Sequence, residues 1–123
     1  ATASDVVILL EEALKHPPIV EALTKKELTL YSNERHKSHH MWSTNWLLLG
    51  WIPHDDFELI GGKTGYTMAA GYNFAMQAVG EEGHLIDVVI LGADTNEARF
   101  TEARDVASWI FESYVWPSDL QEE

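Results

Sequence analysis

Val6, Leu9, Leu10, Ala13 and Leu14 recur at helical spacing and predict a helix over residues 3–15. Thr2 or Ser4 stands where an N-cap is needed, and Asp5 falls in the first turn, where the helix dipole favours a carboxylate. His16 then meets Pro17-Pro18, which stops the helix, because a residue before proline is pushed out of helical geometry. Residues 19–23 read as a short second helical turn. In residues 25–32, Leu28 and Leu30 alternate with polar neighbours, the mark of a half-exposed strand. Residues 33–45 are polar and rich in His and read as loop. The apolar run over residues 46–51 fits one helical turn or a fixed loop equally well.

From residue 57 the period changes to two. Phe57 to Ile60 leads into Gly61-Gly62 and a strand through Lys63 to Thr67. In residues 71–79, Tyr72, Phe74 and Met76 alternate with Asn73, Ala75 and Gln77, and Gly80-Glu81-Glu82-Gly83 then supplies a hairpin turn. Residues 84–91 carry Ile86, Val88, Val89 and Ile90 with almost no polar break, which predicts a strand buried on both faces and central in its sheet. Asp94, Thr95 or Asn96 offers the cap of a last helix over residues 97–114. Its stripe is Phe100, Ala103, Ala107, Ile110 and Tyr114, widened by Val106 and Phe111. Trp116-Pro117 ends it, and an acidic tail follows. The expected fold class is α+β, a single domain over residues 1–123. An antiparallel sheet of three to four strands is flanked by N- and C-terminal helices.

Composition narrows the function. The chain has 123 residues, enough to bury about two thirds of its unfolded surface in one core. Eight Lys and Arg against 20 Asp and Glu give a net charge of −12, which disfavours nucleic acid and anionic membrane surfaces as partners. No cysteine is present, so disulfides and thiolate zinc sites are excluded. No apolar run is long enough for a membrane span, and no signal peptide is recognisable. The start is abrupt and reads as though something preceded it.

The candidate chemistry is mostly bland. His36, His39 and His40, with Glu34 and Asp55-Asp56 near in sequence, are metal-ligand types, but their spacing matches no helix-borne motif and they read as a solvated loop. No Gly-x-Ser-x-Gly elbow exists for nucleophilic catalysis. Gly62-Lys63-Thr64 is no phosphate loop, because Phe57 stands where the first glycine belongs and a strand follows. No metal or cofactor is expected. What remains is Lys63-Thr64-Gly65 on a strand. A lysine and a hydroxyl there can hold a carboxylate, and the glycine lets a substrate backbone approach.

The surroundings of this triplet resemble the serine-type D-alanyl-D-alanine carboxypeptidases, the low-molecular-mass penicillin-binding proteins. The match runs through Ile60-Gly61-Gly62-Lys63-Thr64-Gly65-Tyr66-Thr67 and Ala70-Gly71-Tyr72-Asn73. It extends to Thr2-Ala3-Ser4-Asp5, to Thr44-Asn45-Trp46-Leu47-Leu48, to the strand ending in Leu91-Gly92-Ala93, and to Arg99-Phe100 with Trp109, Phe111 and Tyr114. The resemblance implies part of the beta-lactamase/transpeptidase-like fold, an extracytoplasmic place, and a D-Ala-D-Ala peptide of peptidoglycan or a β-lactam as ligand. It implies an electrostatic role for Lys63 and substrate binding by Thr64, Gly65 and Thr67. The family's Ser-x-x-Lys is missing, however: Glu12, Ala22, Leu23, Glu34 and Ile60 stand three residues before the five lysines. Ser43-Thr44-Asn45 fits Ser-x-Asn but lies too near Lys63 for the family order and reads as coincidence. The chain therefore resembles the C-terminal half of the peptidase domain, and three roles are open to it. It is an inactive fragment, one chain of a split enzyme, or a non-catalytic peptide- or protein-binding module. A sheet stripped of its N-terminal cover is expected to form a homo-oligomer or to seat a companion chain.

Overall fold

The computed structural model describes residues 1–121. Helix α1 (Ala3–Ala13) starts at Thr2, whose hydroxyl accepts from the Asp5 amide at 3.2 Å, while the Asp5 carboxylate accepts from the Thr2 amide at 2.9 Å. These bonds hold the Asp5 carboxyl below the usual carboxylate range. Helix α2 (Pro17–Leu23) begins on its two prolines, whose fixed φ suits the first turn.

Strands β1 (Glu27–Ser32) and β2 (Lys37–Trp42) form a separate antiparallel ribbon, with Glu27 opposite Trp42 and Ser32 opposite Lys37. This corrects two expectations. Residues 33–45 are not all loop, and the first strand does not join the main sheet. Every residue of β2 is exposed, so no buried face marks it with apolar residues at every second position. Backbone pairing and a 2.6 Å hydrogen bond between Thr29 Oγ1 and His40 Nδ1 hold the ribbon instead. Of the three histidines, His36 ends the turn at φ 50°, and His39 and His40 stand opposite Leu30 and Thr29.

One helical turn, α3 (Trp46–Leu49), follows. Asn45 caps it, Oδ1 accepting from the amides of Leu47 and Leu48 at 3.2 Å each, and Gly50 closes it at φ 80°. The main sheet is antiparallel, in the order β3 (Phe57–Thr67), β4 (Gly71–Gly80), β5 (Leu85–Ala93). The central strand is thus β4, not residues 84–91 as their apolar run predicts. The physical reason is that β5 is an edge strand covered on both faces. Helix α4 (Asn96–Ser113), capped by Thr95, packs on one side and α1 on the other. Val88, with Ile86 and Ile90, faces the core under α4, whereas Val89 and Leu91 line a groove beside α1.

The core lies between α4 and the sheet and is built on Leu47, Phe57, Phe74, Met76, Phe100 and Ala103. The stripe expected on the last helix is buried at Phe100, Ala103 and Ala107, while Tyr114 caps the helix end in extended conformation and is exposed. A C-terminal 3-10 turn (Pro117–Gln121) follows, and Glu122 and Glu123 of the acidic tail lie outside the described residues.

One contact between α1 and β5 carries a pH dependence. A hydrogen bond to Asp87, reinforced by the charge of that carboxylate, raises the Glu11 carboxyl above the ordinary glutamate range. A raised folded value means that the native chain holds this proton more tightly than the unfolded chain. The contribution to stability is therefore full below the ordinary glutamate range and is lost as pH rises through the raised value. Glu11→Gln should raise the midpoint of thermal unfolding at pH 7 and flatten its rise towards acid. Melting curves at pH 4, 5, 6 and 7 check this; an unchanged pH profile would exclude the pair as its source.

Candidate functional site

Strand β3 is an edge of the sheet, and Lys63-Thr64-Gly65 sits on it opposite Ala75, Phe74 and Asn73 of β4. Two grooves meet along this strand, and Lys63 and Thr64 line both. On one side is a mixed groove of about 520 Å³, lined by Pro18, Glu21, Trp42, Thr44, Lys63 and Thr64 among others. On the other is a nearly apolar groove of about 470 Å³, where Val6, Leu9, Ile19, Val89 and Leu91 meet the same strand.

The charges in this region are unevenly used. Lys25 faces Glu21 at 3.9 Å. Lys63 has no carboxylate partner among the described residues, and its Nζ donates to the Thr64 carbonyl at 2.6 Å. An exposed ammonium held by a backbone carbonyl alone is free to meet an anionic ligand. The Thr64 hydroxyl lies 2.6 Å from the Thr44 hydroxyl. A shared proton between two hydroxyls leaves one O–H to be directed outward at a ligand oxygen.

Gly65 has open space where a side chain would stand, so a ligand backbone can come against the strand. Its carbonyl is fastened from behind. Arg99, 6% exposed, donates from Nη1 to the carbonyls of Gly65 at 3.3 Å and Asn73 at 3.4 Å, and its guanidinium lies over the Tyr72 ring at 5.4 Å. Burial draws the Arg99 pKa below the ordinary guanidinium value. Asn73 adds a bond from Nδ2 to the Gly65 carbonyl at 3.4 Å, and its Oδ1 accepts from the Gly92 amide at 2.8 Å, where the β4–β5 register shifts. Thr67 sits at the tip of the β3–β4 hairpin, opposite Gly71, and its hydroxyl accepts from the Ala70 amide at 2.9 Å.

The structure thus gathers Lys63, Thr64 and Gly65 on one accessible edge and puts Thr67 at the end of the same strand. It adds three residues that the sequence reading assigned no role at the site. Thr44 was visible only as part of the Thr-Asn-x-Leu-Leu resemblance, and its place beside Thr64 follows from Asn45 capping α3. Arg99 and Asn73 were visible only as matches to the family. No local pattern announces that a helix arginine reaches a strand carbonyl 34 positions away.

A family model described as D-alanyl-D-alanine carboxypeptidase matches residues 1–95, three quarters of the chain and all of this edge. The chain belongs to the D-alanyl-D-alanine carboxypeptidase family. It is 30% identical over 113 residues to D-alanyl-D-alanine carboxypeptidase DacC of Escherichia coli strain K12, covering 90% of this chain but 25% of that protein. Among solved structures, its fold is similar to a D-alanyl-D-alanine carboxypeptidase from Mycobacterium tuberculosis H37Rv, with a TM-score of 0.74 and 22% identity. That match covers 95% of this chain and 42% of the other. Penicillin-binding protein 5 from Haemophilus influenzae matches with a TM-score of 0.72 and 23% identity, over 91% of this chain and 30% of that one. The chain thus spans less than half of each of these relatives. Among the described residues, no helix is long and apolar enough to cross a membrane.

Proposed function

We propose that this chain supplies the Lys-Thr-Gly wall of a serine D-alanyl-D-alanine carboxypeptidase and acts outside the cytoplasm on peptidoglycan stem peptides. In this reading Lys63 provides positive potential at the carboxylate of a D-Ala-D-Ala peptide or β-lactam, and Thr64 hydrogen-bonds that carboxylate. Gly65 admits the ligand backbone, and the strand as far as Thr67 pairs with it. The observation that carries the reading is Lys63, without a carboxylate partner among the described residues, beside the Thr64–Thr44 hydroxyl pair on an exposed strand edge. Without Ser-x-x-Lys the chain offers no serine–lysine pair to form an acyl-enzyme, and in this reading it binds and does not hydrolyse alone.

The test is covalent labelling by a fluorescent penicillin, read by intact mass. The 13.9 kDa chain alone should carry no adduct. Mixed with the part of the fold that bears Ser-x-x-Lys and Ser-x-Asn in the family, it should allow an adduct on that companion. Thr64→Val should then slow acylation by roughly 10- to 150-fold, since a hydrogen bond to a charged group is worth about 1.5–3 kcal/mol. An adduct on this chain alone would overturn the assignment of an inactive half. Failure of the wild-type mixture to acylate, with tight binding of a D-Ala-D-Ala peptide, would favour a non-catalytic binding module instead.

The apolar groove fits the same picture. Leu9 of α1 lines it and is 68% exposed, and Leu91 of β5 across the groove is 45% exposed. The companion part of the fold is its proposed occupant, because the solved relatives are more than twice as long as the stretch matched here. Alone, two copies should cover these faces against each other. Light scattering should give a dimer that converts to a one-to-one complex when the companion is added; a clean monomer at working concentration would oppose this.

A further inference from the structure

We propose that Glu82, His84 and Asp119 form a binding site for a divalent transition-metal cation, zinc above all, remote from the Lys-Thr-Gly edge. Three donor atoms from two distant parts of the chain converge there, all within 4.8 Å of one another. His84 Nε2 lies 3.0 and 3.2 Å from the two Asp119 carboxylate oxygens and 3.9 Å from Glu82 Oε2. Glu82 comes from the β4–β5 turn, His84 from the position just before β5, and Asp119 from the C-terminal 3-10 turn.

The imidazole is pre-set. It stacks flat on Trp116, with centroids 4.3 Å apart and planes 3° off parallel, and its side chain is 18% exposed. Trp116 is itself stacked on Phe111. The turn that carries Glu82 is closed by the Gly80 amide donating to the His84 carbonyl at 3.0 Å, with Gly83 at φ 88°. Glu82, with 76% of its side chain exposed, is the one ligand that has to move.

The charge balance favours a cation. The cavity around these groups measures about 420 Å³ and is lined by five carboxylates, the others being Asp56, Glu81 and Glu112, with no lysine or arginine. A neutral imidazole and two carboxylates match the charge of one divalent ion. Imidazole nitrogen with carboxylate oxygen is a zinc donor set, with bonds of about 2.0–2.2 Å, so tetrahedral ligand atoms stand roughly 3.3–3.5 Å apart. The His84–Asp119 spacing is already close to that, and Glu82 must close by roughly an ångström. Three protein ligands leave a fourth position for water. A bound ion would replace the His84–Asp119 hydrogen bond by two coordinate bonds and latch the 3-10 turn to the sheet.

The histidines of the β1–β2 ribbon are the natural control, because they are the other clustered imidazoles of the chain. The experiment is calorimetric titration of zinc chloride into the whole chain, prepared without a histidine tag and stripped with chelator. One equivalent should bind. His84→Ala and Asp119→Asn should each weaken binding at least tenfold, since even outer-shell changes cost about 10–100-fold at metal sites. Glu82→Gln removes an exposed ligand without touching packing, and it should weaken binding as well. Circular dichroism of each variant separates lost ligation from lost fold. Zinc binding unchanged in Glu82→Gln and His84→Ala, or abolished by His39→Ala with His40→Ala instead, would overturn the site. So would absence of binding to the wild-type chain.

Discussion

Phe100→Ala should cost about 3–5 kcal/mol of folding free energy, the range for truncating a buried aromatic. Phe100 is fully buried, and two rings meet it. Trp46 stacks on it at 5.5 Å and 22°, and Phe74 meets it edge-on at 5.0 Å and 61°. Each such pair is worth about 0.5–1.5 kcal/mol beyond the area it buries. The ring therefore ties α4 to α3 and to the central strand at one point. A domain of this size has about 5–15 kcal/mol in total, so the loss is a large part of it. Urea unfolding should show a lower midpoint with an unchanged slope. Phe100→Leu keeps most of the volume and should cost much less. A midpoint for Phe100→Ala near that of the wild type would mean that the core collapses into the gap or that α4 contributes little. The effect should also reach the site, because the neighbouring Arg99 holds the Gly65 carbonyl at 3.3 Å. A helix that loosens at residue 100 loosens that bond.

What could be read from the sequence divides along burial. The stripe of α4 and the alternation of β4 were legible because one face of each is buried, and burial writes a period into the chain. The ribbon strand β2 was not legible, since all six of its residues are exposed and nothing selects for alternation. The reverse failure occurred at β5. Its apolar run correctly reported cover on both faces, but an edge strand between two helices gives the same run as a central strand. At the site, residue types were legible and neighbours were not. Lys63, Thr64 and Gly65 stand together in the chain. The hydroxyl partner Thr44 and the clamp Arg99 arrive through the capping of α3 by Asn45 and the packing of α4. The Glu82–His84–Asp119 cluster escaped notice for the same reason, because its third member comes from 35 positions further along.

Two glycines of β3 that look alike in the sequence should behave oppositely when each is replaced by alanine. A Cβ at Gly62 would stand 2.8 Å from Asn45 Nδ2 and 3.0 Å from the Phe74 ring. Phe74 is fully buried and cannot yield, so Asn45 must. Asn45 is 3% exposed and accepts from the Leu47 and Leu48 amides, and displacing it costs a cap as well as space. Overpacking costs about 1–3 kcal/mol and a lost cap about 0.5–2 kcal/mol, so Gly62→Ala should destabilise by roughly 2–4 kcal/mol. Moving Asn45 also shifts Thr44, and with it the 2.6 Å contact to Thr64. At Gly65 a Cβ meets nothing within 4 Å, so Gly65→Ala should leave the urea midpoint unchanged or slightly higher. Its cost should appear only when a ligand backbone is brought against the strand, as weaker binding of a D-Ala-D-Ala peptide. Urea curves and peptide titrations on the two variants separate these roles. A stable Gly62→Ala would show that the Asn45 cap has slack. A Gly65→Ala chain that binds peptide as tightly as the wild type would remove close approach along β3 from the proposed mode of binding.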